Sequence, residues 1–477
     1  MKQHYLSLTD NIHLYQRAVM DCFANKWARN DILSFIEKYT GIPRHELLIN
    51  ELEIQEDKLS EHEHNVEKIE AIDGCALALE EAVMQILAGD TDDLDITKPI
   101  IRHRPDGMTG KIRDIALLCI MHQLLEHVTF ILLEPLFRKR LFQTQHASIP
   151  KHGQTRLKNQ VHRYLRSKLP IKCIVKTDMK HAYASVSYVI VIRELQKDIP
   201  DAHHIFVLLE FLGNLAPDGH LIIGGYLDAW LFNYVMSKVM RHGYSLGQTR
   251  RGKFTRYAIR MVTFMDDMLI CTASIKAAKR VISGITDFAK RELGMTVKVV
   301  TGITKLLTVE EERSRKGYRK ARRGCPVVDM GGYKISRSHV TVRRRIFIRV
   351  RRQFLRSWSD YQRKGTISLQ RAQKLISYYG YIRQTNSANL IKKYHIPELM
   401  KLAKRIASFY GRLATRKRME KLYDLRKRTE QFKAGASCDR STSGWPAENY
   451  HFQRHLRSTK RRRNIVPVQQ GRVLCAG

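Results

Sequence analysis

Apolar positions recur along this chain with two different periods, and the change of period marks its parts. "ALALEEAVMQILAG" (76–89) has apolar residues at helical steps and stops at a glycine, so it predicts an amphipathic helix. "IKCIVKTD" (171–178) is a short β-branched run that predicts a strand ending on Asp178, and "AYASVSYVIVIRELQ" continues it as a helix. "RYAIRMVTF" and "MLICTAS" predict two strands with Asp266 and Asp267 between them, at or near a hairpin tip. "SIKAAKRVISGITDFAKRELG" then returns to helical spacing with a glycine stop. After about residue 340 the strand pattern ceases. "VRRRIFIRVRRQFLRSW" sets Phe347, Val350, Phe354 and Trp358 at steps of three and four, one apolar stripe on a basic helix. The order predicts an α+β domain over 96–340, a helical extension over 1–95, helices over 341–430 and a loosely ordered basic tail over 431–477.

Charge changes that picture. Lys and Arg number 84 against 46 Asp and Glu, a net +38 with a pI near 10.0. Such an excess calls for a polyanionic partner, nucleic acid first and an anionic membrane surface second. No apolar run approaches the roughly 20 residues that cross a bilayer, and "MKQHYLSLTDNIHLYQ" lacks the apolar core of a signal peptide. A cytoplasmic protein without a membrane partner is expected. The basic excess starts after residue 100; before it come "NELEIQEDKLSEHEH" and "AGDTDDLD". Eight scattered cysteines without a CxxC pair predict reduced structural thiols. The "EHEH" at 61–64 reads as a solvated helix face rather than a metal-ligand pair.

The paired aspartates carry the chemistry. Two adjacent carboxylates between apolar runs cost free energy unless a cation or a proton compensates. A surface turn is one reading, although Asp-Gly or Asn-Gly would suit a turn better. The other is a hard-cation site, because Mg²⁺ takes oxygen ligands from one or two carboxylates plus substrate phosphates. Asp178, at a strand end before a helix, is the third acid, and only folding brings it to Asp266.

"KTDMKHAYASV" (176–186) and "FMDD" (264–267) resemble the first and second catalytic motifs of reverse transcriptases. The resemblance extends from about Arg102 to Tyr394. "GKIRDIALLCIMHQLLEHVTFILLEPLF" is similar to the fingers of bacterial retroelement enzymes, and "HASIPKHGQTRLKNQVHRYL" to the segment that follows. "LIIGGYLDAWLFNYVMSKVMR" resembles the motif under the nascent base pair, "ELGMTVKVV" the next motif, "DMGGYKISRSHVTVRRR" the primer-gripping turn, and "SYYGYIRQTNSANLIKKY" the thumb helices. The resemblance implies a right-hand polymerase fold, with fingers and an antiparallel-sheet palm over 96–340 and an all-α thumb over 341–430.

It also implies roles. Asp178 and Asp266 become the principal metal ligands, with Asp267 in support and a backbone carbonyl from Met179, for two Mg²⁺ ions or Mn²⁺ in their place. Tyr183 takes the steric-gate position that rejects a 2′-hydroxyl. Lys111 and Arg113 meet the triphosphate, with Arg102 and Arg104 as weaker candidates. Gly224 and Gly225 allow close approach to template and nucleotide, and Asn233 ends that motif. Lys298, or alternatively Lys305, is the lysine of the next motif. Gly331, Gly332 and Tyr333 form the primer grip, and Arg343, Arg344 and Arg345 begin a helix that holds duplex phosphates.

The implied activity is RNA-directed DNA synthesis from dNTPs, with an RNA template and a DNA product. Three departures set the chain apart from viral and intron enzymes. "IGGYLDAW" replaces the usual P-Q-G and serine and puts Asp228 near the template, Phe264 replaces the usual tyrosine, and "IPKHGQ" replaces P-G-R-G. They place it near divergent bacterial enzymes, and an antiphage-defence enzyme copying a dedicated noncoding RNA is expected. Group II intron-like and diversity-generating retroelement enzymes are the alternatives, and homo-oligomerisation stays open. The rival of another class is a non-catalytic RNA-binding protein on a polymerase fold.

Overall fold

The structure is a computed structural model that describes residues 11–44, 46–47, 65–105, 112–314 and 327–438. The chain divides into two compact units, Met1–Glu420 and Lys421–Gly477. Lys111, the "EHEH" stretch and residues 439–477 lie outside the described residues.

Three helices come first: α1 (Ile12–Phe23), α2 (Asn30–Thr40) and α3 (Asn65–Ala88). Their apolar stripes, including Tyr15, Val19 and Phe23 of α1 and Leu79 and Val83 of α3, are buried. A hairpin follows, β1 (Ile100–Pro105) paired antiparallel with β2 (Ile112–Leu117). Helix α4 (Ile120–Arg140) is buried along most of its length, and α1, α2 and α3 pack on it.

The central sheet has five strands in the order β3-β7-β8-β4-β9. In chain order its members and their helices are β3 (Gln145–His146), α5 (Gln154–Arg166), β4 (Cys173–Met179), α6 (Tyr188–Gln196), α7 (His203–Leu215) and α8 (Tyr226–Ser245). A separate hairpin of β5 (Gly247–Arg250) and β6 (Lys253–Arg256) intervenes. Then come β7 (Ala258–Phe264), β8 (Asp267–Thr272), α9 (Ile275–Leu293), β9 (Val297–Lys305) and the short α10 (Val309–Arg313). All pairings in the sheet are antiparallel except β3 with β7.

Period-two alternation gives the sheet two different faces. Ile174, Val262, Leu269 and Cys271 point to a core made with α5, a three-stranded sheet and the helices beyond it. The opposite face carries Met261, Met268 and Ile270, all buried, and α8 and α9 pack against the sheet. The three-stranded sheet is β10 (Val328–Met330), β11 (Tyr333–Ile335) and β12 (Val340–Val342). Helices α11 (Arg344–Lys364), α12 (Leu369–Ile382), α13 (Ala388–Lys393) and α14 (Ile396–Cys438) complete the described chain.

Several elements differ from expectation. The segment after Asp178 is not one helix: a 3₁₀ turn at Tyr183–Ser185 precedes α6, because the Ser187 hydroxyl accepts from the Ile190 N–H and restarts the helix there. On α11 the buried stripe is Ile346, Val350, Phe354 and Ser357, while Phe347 is exposed. Val350 and Phe354 thus lie on the predicted stripe and Trp358 packs partly buried against the core, while Ile346 takes the place expected for Phe347. Helix α14 runs to Cys438, past the expected end of the helical region at 430. Cys22, Cys75, Cys119, Cys173 and Cys271 are free thiols, all but Cys119 buried. No helix among the described residues is long and apolar enough to cross a membrane.

Candidate active site

Strand β4 carries Lys176 and Asp178 at its end. They are two residues apart and so share a face, while Thr177 and Met179 turn inward. Antiparallel pairing sets Thr177 opposite Met268, which puts the end of β4 beside the turn joining β7 to β8. Phe264 pairs with Asp267 across that turn, and Met265 adopts a φ of 53° to make it tight. The fold thus brings together acids separated by 266 − 178 = 88 positions.

Asp178 and Asp266 come together as neighbours. Burial, then the hydrogen bond and charge of Asp178, push the Asp266 carboxyl up to about 6. The third acid is held differently. Asp267 Oδ1 lies 2.9 Å from the Lys176 ammonium, which opposes the upward push of burial on its pKa. Lys176 is absent from the motif-based candidates, although alternation along "IVKTD" puts it on the face of Asp178. Among the described residues no group of three His, Cys, Asp or Glu is arranged to hold a metal ion.

Around the acids, Tyr183 lies half-buried with its ring stacked on Phe232, centroids 5.1 Å apart at 18°. Its hydroxyl pKa is raised by burial and by the charges of Asp228 and Asp266. Lys298 stands directly opposite Asp178 across the β4–β9 pair, whereas Lys305 pairs with Cys173 at the far end. Met179 is buried at the end of the strand. A cleft of about 780 Å³ opens beside Phe264, lined by Lys151, His152, Arg156, Asn159 and Arg163 among others.

Other candidates sit elsewhere or in other roles. Arg113 faces Arg104 across the exposed β1–β2 hairpin, and Arg102 faces Ile115. Gly224 and Gly225 do approach something closely, but it is protein. A Cβ on Gly224 would lie 2.4 Å from the Ala116 carbonyl oxygen, and Ala116 donates its N–H to Ile223 O at 2.8 Å. A Cβ on Gly225 would collide with Asp228 Oδ2 and Glu126 Oε1. Asp228 itself is fully buried, so the extra carboxylate is not presented to a template. Asn233 is buried too, donating from Nδ2 to the Ala229 and Ala147 carbonyls.

Tyr333 is buried as well. Alternation on β11 turns Tyr333 and Ile335 into the core, with the Tyr333 ring 6.2 Å from that of Tyr381. Gly331 and Gly332 form the β10–β11 turn with φ of 58° and 87°, values that suit glycine at both positions. Arg343 is held by Asp329 at 2.6 Å, and its charge reaches Asp267. Arg344 and Arg345 are exposed at the start of α11.

Residues 98–300 match the family model described as reverse transcriptase (RNA-dependent DNA polymerase). This segment is therefore a reverse transcriptase domain by that match, and it holds all three acids. Among solved structures, a Sicinivirus 3Dpol RNA-dependent RNA polymerase is similar at 14% identity and a TM-score of 0.26. The match covers 46% of this chain and 48% of that one, about half the viral chain, and is too slight to define the fold. No curated protein matches the chain.

Proposed function

We propose that the chain extends a nucleic-acid 3′ hydroxyl with dNTPs, copying an RNA template, and that Asp178 and Asp266 are the centre of the reaction. The observation that carries this is the apposition of those two carboxylates inside the matched domain. A structural pair of acids would be sealed or salt-bridged; this one is half-exposed beside an open basic cleft. Their oxygen-only donor set suits Mg²⁺, and the rise of the Asp266 pKa, caused by burial first and then by Asp178, is one that a bound cation would oppose. Asp178 and Asp266 would hold the ion, with the Met179 carbonyl and Asp267 in support; Mg²⁺, or Mn²⁺ in its place, supplies stabilisation of phosphate charge and activation of the hydroxyl.

The chain's own residues do the rest. The Tyr183 ring, fixed by Phe232, excludes a ribose 2′ hydroxyl from the sugar position. Lys298 adds positive charge beside Asp178. Arg113 on the β1–β2 hairpin, together with Lys111, neutralises the triphosphate. Arg344, Arg345 and the rest of the basic face of α11, a thumb helix in this reading, hold duplex phosphates.

The finer biological reading, an enzyme copying a dedicated noncoding RNA in antiphage defence, is supported by the three motif departures at "IGGYLDAW", Phe264 and "IPKHGQ". Primer extension on an RNA template with Mg²⁺ tests the central claim. The native chain should extend the primer, and the Asp266→Asn variant should not, while still binding the template. Equal extension by both chains would remove these acids from the reaction.

A further inference from the structure

The β5–β6 hairpin belongs to no larger sheet. A two-stranded ribbon is marginal in water by itself, and this one carries features that make it worse. Its residues are Gly247, Gln248, Thr249, Arg250, Arg251, Gly252, Lys253, Phe254, Thr255 and Arg256, with no acid. The sequence in fact holds no acid anywhere between Asp228 and Asp266. Arg250 and Lys253 are direct cross-strand partners, both exposed. Like charges so placed repel each other. Among the described residues no carboxylate lies within ion-pair distance of Arg250, Arg251, Lys253 or Arg256. The nearest side-chain support is cationic as well: Arg280 of α9 donates to Gln248 Oε1 at 3.4 Å and to the Tyr257 hydroxyl. Lys276, one turn earlier on α9, is exposed.

The opposite face of the ribbon carries a ring. Phe254 is 51% exposed, and its ring lies against Gly247, where a Cβ would come within 2.4 Å of Cζ. The glycine thus leaves room for the ring beside the backbone while about half of the residue meets solvent. Such a fixed, half-open ring is suited to stacking an unpaired base.

We infer that the β5–β6 hairpin binds single-stranded RNA outside the catalytic cleft, with Arg250, Arg251 and Lys253 on the phosphates and Phe254 against a base. Repulsion across the ribbon is then relieved by the polyanion. Position separates this surface from the acids: β7 leads from the hairpin at Ala258 to the catalytic turn after Phe264. At about 3.3 Å per residue its seven residues put roughly 20 Å between them. The choice of RNA as the polyanion rests on the proposed copying of RNA; the surface itself does not.

The test compares the native chain with the triple variant Arg250→Gln, Arg251→Gln, Lys253→Gln and with Phe254→Ala. Binding is measured with a ~40-nucleotide unstructured RNA and with single-stranded DNA of the same sequence, over a salt series, the length exceeding one strand-binding site of ~4–16 nucleotides. Each phosphate-neutralising cation contributes about 0.7 to the slope of log affinity against log salt, so the triple variant should show a slope shallower by about 2. RNA affinity at low salt should fall about 10- to 100-fold for it, and about tenfold for Phe254→Ala. Extension on a template too short to reach the hairpin should match the native chain. Unchanged RNA affinity and slope, or a loss seen with DNA alone, overturns the inference. If even the native chain extends no primer, the polymerase reading fails, and the RNA-binding comparison still decides the role of the hairpin.

Discussion

The domain holds two pairs of acids, and they are kept in opposite ways. Asp178 and Asp266 sit half-exposed at the end of the sheet, with Lys176 and Arg343 bearing on the neighbouring Asp267. Glu126 on α4 and Asp228 on α8 are both fully buried, and among the described residues no Lys or Arg forms an ion pair with them, although the charge of Lys26 reaches Glu126. Tyr188 donates its hydroxyl to Asp228 Oδ1 at 2.8 Å, and the Tyr226 N–H donates to Glu126 Oε2 at 2.8 Å. The remaining oxygens, Glu126 Oε1 and Asp228 Oδ2, have no partner, and both crowd Gly225. Burial and then Asp228 raise the Glu126 pKa well above normal, and burial pushes Asp228 up to about 7. A proton shared between those two oxygens would satisfy both, and the pH dependence below tests for it. His122 cannot supply positive charge, since burial holds its pKa down at about 4. Like carboxylates can thus be reconciled by a cation at a surface or by a proton in a core, and exposure decides which.

Removing an acid separates the pairs most sharply. Asp178→Asn or Asp266→Asn should cut primer extension on the order of 10³-fold, because charge at the reacting phosphate loses its compensation. The melting temperature should hold or rise, since a repulsive contact is relieved. Glu126→Ala should do the reverse. It orphans the Tyr226 N–H and opens a cavity between α4 and α8, a loss of about 2–4 kcal/mol by denaturant titration. A melting loss at Asp266 matching that at Glu126 would erase the contrast.

The buried pair also has a pH signature. A carboxyl whose folded pKa lies above its unfolded value stabilises the fold fully below the unfolded value and loses that contribution as pH rises through the folded one. For Asp228 the window runs from the ordinary aspartate value of 3.8 to about 7. Asp228→Asn cannot ionise, keeps an acceptor for Tyr188 and offers Glu126 Oε1 a permanent donor. Its stability should therefore depend less on pH than the native chain's, with an advantage on the order of 1–2 kcal/mol at pH 8 that shrinks toward pH 5. Parallel curves for the two chains would show that the pair carries no such proton.

The contrast explains what the sequence could disclose. Asp178, Asp266 and Asp267 are legible because strand runs end or turn on them, and alternation fixes which face a strand-end residue takes. The strands β4, β7 and β8 and helix α9 are legible for the same reason. Asp228 is not, because its place in the chain says nothing about its surroundings: burial comes from α4, some 100 residues away. The burial of Tyr333 is hidden likewise, since a turn beside it does not reveal that its ring packs near Tyr381 of α12. Phe347 fails for a smaller reason: Ile346 beside it is equally apolar, and tertiary packing chooses between the two for one place on an otherwise correct stripe.

Lys176 offers the finest distinction between the pairs, because it is the ion-paired lysine that the buried acids lack. Its ammonium opposes the upward push of burial on Asp267. In Lys176→Gln that opposition disappears, so Asp267 needs a higher pH to ionise. The acid limb of the extension profile should shift upward, and activity near neutral pH should fall about threefold to tenfold, in line with the loss of one charge-assisted contact. Raising the pH should restore most of it, which a collapsed strand would not permit. An acid limb that stays in place would mean that Lys176 only packs against the sheet, and that the exposed acids depend on their cations less than the comparison with Glu126 and Asp228 requires.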